Sequence, residues 1–138
     1  MFVPYDGSSY SNSAFHAALE IAIKFESKMT IVTCLFRPPE EEPFYISEHA
    51  KIVDELKNNA VTELSKLQKI AATKKVAVEA RIMPCNSVVE TLATFANTNK
   101  VDLIVMGTRG KTGFKPLLLG SVSIGVSQHA SCPILLVK

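Results

Sequence analysis

Acidic side chains stop at Asp102. From Leu103 to Lys138 the chain has no Asp or Glu, while Arg109, Lys111, Lys115 and Lys138 are basic. A modest net charge of +2 therefore conceals a basic C-terminal quarter. A cluster this small suits a compact anion better than a nucleic-acid groove, which needs a broader basic stripe. Long hydrophobic runs are also missing: none approaches the roughly 20 residues that span a bilayer, so no membrane segment is expected. Cysteine is scarce. Cys34, Cys85 and Cys132 are odd in number and widely spaced, which excludes a disulfide framework and points to a reducing cytoplasm. His129 and Cys132 have no second Cys/His pair, so no metal site is expected. The opening strand is short, which leaves open whether residues precede Met1.

What is present centres on Val101–Ser123. Val101–Met106 is nearly all apolar and reads as a strand buried on both faces of a parallel sheet. A turn-forming run with Gly107, Gly110 and Gly113 follows, and a helix is expected to begin at Gly120-Ser121. Strand, glycine loop and helix N-terminus together cradle a phosphate, because the backbone can approach closely and its N–H groups point at the anion. Gly110-Lys111-Thr112 looks like the end of a Walker A loop, but that motif needs glycine where the chain has Val105. The P-loop reading fails on spacing.

The rest of the chain alternates strands with helices. Met1–Tyr5 reads as a strand, followed by a helix capped by Asn12 or Ser13, with Phe15, Leu19, Ala22 and Phe25 inward. Lys28–Leu35 reads as the second strand. Arg37–Pro43, with three prolines and three consecutive glutamates, reads as a solvated loop. A long helix is expected from Ser47 to about Thr73, with Val53, Leu56, Ala60, Leu64, Leu67 and Ala71 on its inner face. Val76–Ile82 reads as the third strand, followed by a helix capped by Asn86 or Ser87. After the strand at Val101 come a helix over Gly120–His129 and a last strand, Ile134–Val137. At 138 residues, with no repeat, linker or low-complexity tail, one domain spanning 1–138 is expected. The β-α-β alternation implies an α/β fold: an open five-stranded parallel sheet with helices on both faces. In such a sheet ligands bind beyond the carboxyl ends of the strands, where Asp6, Cys34 and Gly107 are expected.

Three segments resemble the universal stress protein family, specifically its ATP-binding branch. The spacing Gly107-x2-Gly110-x9-Gly120-Ser121 is similar to the family's nucleotide-binding signature. Val3-Pro4-Tyr5-Asp6-Gly7-Ser8 resembles its opening, and Cys132–Val137 its final strand. The resemblance implies a Rossmann-like sheet of strand order 3-2-1-4-5, of the adenine nucleotide alpha hydrolase type, and an adenine nucleotide (ATP, or AMP or ADP) bound with Mg2+. Pro4 and Asp6 would flank adenine and ribose, and the backbone at Cys34 would read the adenine edge. Met106, Gly107 and Arg109 would lie near the ribose and phosphates. Gly110, Gly120, Ser121, Val122 and Ser123 would hold the phosphates. It also implies a homodimer through Ile134–Val137, whose apolar edge is compatible with one. The family often has glycine where this chain has Met83, so a side chain there is expected to crowd the sugar or base. No catalytic residue is assigned: neither an HxGH nor an SGGxDS motif occurs, and hydrolysis would need a positioned base or water. The expected role is a stress-response regulator or nucleotide sensor. The alternatives are a slow ATP hydrolase and an interaction module that binds no nucleotide.

Overall fold

The computed structural model describes residues 1–36, 46–111 and 119–138. The expected loop at Arg37–Pro43, Gly113 and Lys115 lie outside them. Nine elements alternate along the chain: β1 (Phe2–Pro4), α1 (Ser9–Phe25), β2 (Met29–Phe36), α2 (Ile46–Thr73), β3 (Val78–Cys85), α3 (Val88–Thr98), β4 (Ile104–Gly107), α4 (Ser121–His129) and β5 (Ile134–Val137). All strand pairs are parallel, and the sheet order is β3-β2-β1-β4-β5.

The apolar strands are explained by where consecutive side chains go. Val3, Ile31 and Val105 enter one core with Phe15, Ala18 and Leu19 of α1 and Leu64, Leu67 and Ala71 of α2. Their neighbours Phe2, Val32, Ile104 and Met106 enter the other, with Leu92, Phe95 and Ala96 of α3 and Val126 of α4. A strand covered on both faces has no polar side, so it cannot show alternation. In the second core the rings of Phe2 and Phe95 meet at 4.9 Å, tilted by 40°.

Two strands begin later than the sequence suggests, for one reason. Glu26, Lys75 and Lys100 have φ of 50°, 60° and 49°. The residue after each turns its N–H back on the helix it leaves: Ser27 to Ala22 O, Val76 to Ala71 O and Val101 to Ala96 O, at 2.9–3.0 Å. This is the closing bond of a Schellman-type end, here without glycine. Val76 and Val101 thus complete helix ends, and β3 and β4 start at Val78 and Ile104. The cap of α1 also moves. Ser8, not Asn12 or Ser13, accepts the Ser11 N–H on its Oγ, and Asn12 instead accepts the Tyr5 hydroxyl at 3.1 Å. Two residues expected inward are exposed: Phe25, at 70%, and Leu56, at 50%. The apolar stripe of α2 is buried only in its C-terminal half, where the helix lies on the sheet. Ser87 caps α3 as one of the two expected residues.

Candidate functional site

Strand β1 is the hinge of the topology. The chain runs outward from it through β2 to β3 on one side and through β4 to β5 on the other. A crevice therefore opens beyond its carboxyl end. Asp6 stands there, two residues after β1, and ties three segments together. Its Oδ1 accepts the Ser8 N–H at 2.9 Å, fixing the turn into α1. Its Oδ2 accepts the Lys111 N–H at 3.0 Å, pinning the far end of the glycine loop. A Cβ on Gly110 would lie 2.8 Å from that same Oδ2, so a side chain at 110 would push the carboxylate out of its present position. Burial pushes the Asp6 carboxyl up. Hydrogen bonds from the side chain and backbone of Ser8, the side chain of Ser11 and the Lys111 N–H outweigh it and hold the carboxyl below its ordinary value.

Gly107 ends β4 because α1 crosses it closely. A Cβ there would meet Tyr10 Cβ at 2.7 Å and its carbonyl carbon at 2.8 Å. The next residue, Thr108, was not singled out by the sequence pattern, yet its carbonyl anchors α4. It accepts the Gly120 N–H at 2.7 Å and the Ser123 hydroxyl at 2.9 Å, while the Thr108 N–H reaches Val137 O at 2.9 Å. The Ser123 hydroxyl also reaches Gly120 O at 2.9 Å. The Gly120 amide and the Ser123 hydroxyl, expected at a phosphate, are thus engaged inside the protein. Gly120 has its own steric reason: its Cβ would come within 3.3 Å of Arg109 Cα.

What α4 does offer is its first turn. Among the described residues no side chain caps it, and the first N–H groups of a helix, here those of Ser121, Val122 and Ser123, have no partner within the helix itself. This turn, at the positive end of the helix dipole, lines a cavity of about 300 Å³. Pro4, Asp6, Cys34, Met106, Gly107, Arg109, Gly110, Gly120, Ser121, Val122 and Ser123 all line this one cavity. Val32, Val88 and Leu92 line it too. They were missed because they read as ordinary core positions of a strand and a helix. Met83 is not in the lining: it pairs with Cys34 across the β2–β3 ladder and packs against the second core. The Lys111 side chain lies over Gly7, its Nζ 3.4 Å from where a Cβ would stand.

The cavity is chemically two-ended. Val32, Cys34, Val88, Leu92 and Met106 make one end apolar. Burial, with the neighbouring Cys85 thiol adding, pushes Cys34 up to about 12. At neutral pH it is a thiol and part of an apolar wall, not a nucleophile. The other end carries Arg109 and the open helix turn. Arg109 also rests on Tyr10, its Cζ 5.9 Å from the ring centroid. Among the described residues no group of three or more His, Cys, Asp or Glu could hold a metal ion.

Comparison with known proteins agrees with this fold. The model of the universal stress protein family matches residues 1–138. A universal stress protein of Methanocaldococcus jannaschii, MJ0531, is 35% identical over 139 residues, covering 99% of this chain and 79% of its own. The solved structure of universal stress protein UspA from Lactobacillus plantarum superposes with a TM-score of 0.92 at 22% identity, covering 99% of this chain and 95% of its own. A universal stress protein solved in complex with cAMP superposes with a TM-score of 0.73 at 26% identity, covering 99% and 94%.

Proposed function

The chain belongs to the universal stress protein family, and we propose that it is a nucleotide-binding regulator whose ligand is an adenine nucleotide. The observation that carries this is the two-ended cavity. Its apolar end suits a flat heteroaromatic base, and no charged side chain among the described residues Val32, Cys34, Val88, Leu92 and Met106 stands there. Its other end has the first turn of α4, whose N–H groups have no partner within the helix, and a guanidinium, the chemistry that receives a phosphate. The relative bound to cAMP supports the class of ligand. ATP would arrive with Mg2+, which neutralises its phosphates, and AMP or ADP would use the same helix turn. Asp6, with its carboxylate held ionised, would accept hydrogen bonds from a ribose through the lone pairs left beside those that receive the Ser8 and Lys111 N–H groups.

Calorimetric titration with AMP, and with ATP with and without Mg2+, tests the reading. Micromolar binding supports it, and no binding by folded protein would sink it. The same reading expects binding without efficient turnover. Hydrolysis faster than about 1 s⁻¹, the low end of ordinary enzymes, would contradict that.

The proposal extends to assembly and place. Strand β5 is a sheet edge whose Leu135 is 39% exposed, and pairing with a second copy would cover it. Light scattering at tens of micromolar should then report a dimer, and a monomer would contradict the pairing. No helix among the described residues is long and apolar enough to cross a membrane, which is compatible with a cytoplasmic regulator.

A further inference from the structure

Tyr10 lies in none of the sequence motifs and does not line the cavity, yet it touches both things that define the anion end. Its backbone and Cβ are seated on Gly107, where any side chain would collide at 2.7–2.8 Å. That fixes the point from which the ring projects. The ring lies against the Arg109 guanidinium, 5.9 Å from centroid to Cζ, within the range of a cation–π contact. The Arg109 backbone runs close to Gly120, where an added Cβ would come within 3.3 Å of the Arg109 Cα. Its long side chain lines the cavity, and the Tyr10 ring is a surface that this side chain rests on.

We infer that Tyr10 is a positioning residue for the phosphate end of the site, holding the Arg109 guanidinium beside the open first turn of α4. The inference rests on the nucleotide reading above. An arginine ordered before the ligand arrives loses less freedom on binding than one ordered by it. Its planar fork can then meet two phosphate oxygens at once. The aromatic face, not the hydroxyl, supplies the restraint. The contribution is to phosphate-bearing ligands alone, because a nucleoside has nothing for Arg109 to grip.

The test compares AMP with adenosine by calorimetry in the unsubstituted protein, Tyr10→Phe, Tyr10→Leu and Arg109→Gln, and in Arg109→Gln combined with Tyr10→Leu. Leucine keeps the Cβ seated on Gly107 while removing the ring. Tyr10→Leu should weaken AMP by about two- to fivefold, the range of a half-exposed cation–π contact, and leave adenosine unchanged. Tyr10→Phe should bind both like the unsubstituted protein. In the Arg109→Gln background, Tyr10→Leu should cost nothing further. Equal losses for AMP and adenosine would overturn the inference by making Tyr10 mere support for the fold. Undiminished AMP binding, or full additivity in the double variant, would overturn it too. Should Tyr10→Leu not fold, Tyr10→Met makes the same comparison with a more adaptable side chain. No AMP binding by the folded unsubstituted protein would instead overturn the nucleotide reading, and this inference with it.

Discussion

Replacing Gly107 by Ala should be among the most damaging single-methyl changes in the protein. The added carbon would stand 2.7 Å from Tyr10 Cβ, 2.8 Å from its carbonyl carbon and 3.0 Å from its carbonyl oxygen. Neither of the two carbons can swing away, because the first turn of α1 is held by the Ser8 cap and by the Asp6 turn. Either α1 or the end of β4 must shift. Overpacking of this kind costs about 1–3 kcal/mol. For a domain of this size each kcal/mol lowers the melting temperature by about 3–4 °C, so a loss of about 3–12 °C is expected. Gly120→Ala is the control: its nearest contacts, Arg109 Cα at 3.3 Å and Thr108 O at 3.4 Å, need only small adjustments. It should cost under about 1 kcal/mol. Scanning calorimetry of both variants decides the matter. Truncating Tyr10 to Ala should not rescue Gly107→Ala, because the Cβ and carbonyl, not the ring, make the collision. A melting temperature for Gly107→Ala within about 1 °C of the unsubstituted protein would refute the close crossing of α1 over β4.

Three further outcomes follow from the same contacts. The Asp6 carboxyl titrates lower in the folded state, so its contribution is fully present above the unfolded value of about 3.9 and is lost as pH falls through the lowered folded one. Thermal unfolding from pH 7 down to 3 should therefore show a smaller acid loss in Asp6→Asn than in the unsubstituted protein, and parallel curves would contradict this. Lys75→Gly and Lys100→Gly, at positions with φ of 60° and 49°, should each gain up to about 1 kcal/mol in urea unfolding; a loss would show that the side chain matters more than the backbone there. Gly125→Ala brings a Cβ within 2.7 Å of Val89 Cγ2 and should cost about 1–3 kcal/mol, largely restored by adding Val89→Ala; failure of the rescue would place the strain elsewhere.

The sheet order was legible through the family resemblance, and the apolar strands added that both faces are covered. Phe2, Val3, Ile31, Val32, Ile104 and Val105 have no polar alternation, so both faces had to be covered. The element boundaries were less legible. Val76 and Val101 look like strand residues, but a preceding lysine in the left-handed region makes them the end of a helix. Lysine gives no warning of that conformation, as glycine would. The residues expected at the site come together in one cavity lining, because glycine spacing reflects close backbone approach, as at Gly107, Gly110 and Gly120. Their division of labour was not. Nothing in the sequence shows that the Gly120 amide and the Ser123 hydroxyl turn inward to Thr108, nor that Val32, Val88 and Leu92 supply the apolar wall. Those facts depend on which core face each residue meets. Met83 was expected to crowd the site, but its place on β3, beyond Cys34, leaves it outside the lining.

The open helix turn can be tested almost alone through Ser121→Pro. Proline is favoured at the first position of a helix, and Gly120, at φ −75° and ψ 157°, already has the backbone that precedes a proline comfortably. The substitution removes one N–H from the first turn of α4, which lines the cavity, and should leave the melting temperature unchanged. The measurement is a calorimetric titration of both proteins with AMP and with adenosine. A hydrogen bond to a charged group is worth about 1.5–3 kcal/mol, so AMP should weaken about tenfold or more in Ser121→Pro while adenosine binds both proteins alike. Equal AMP affinity in the two folded proteins would contradict the claim that the first turn of α4 receives the phosphate.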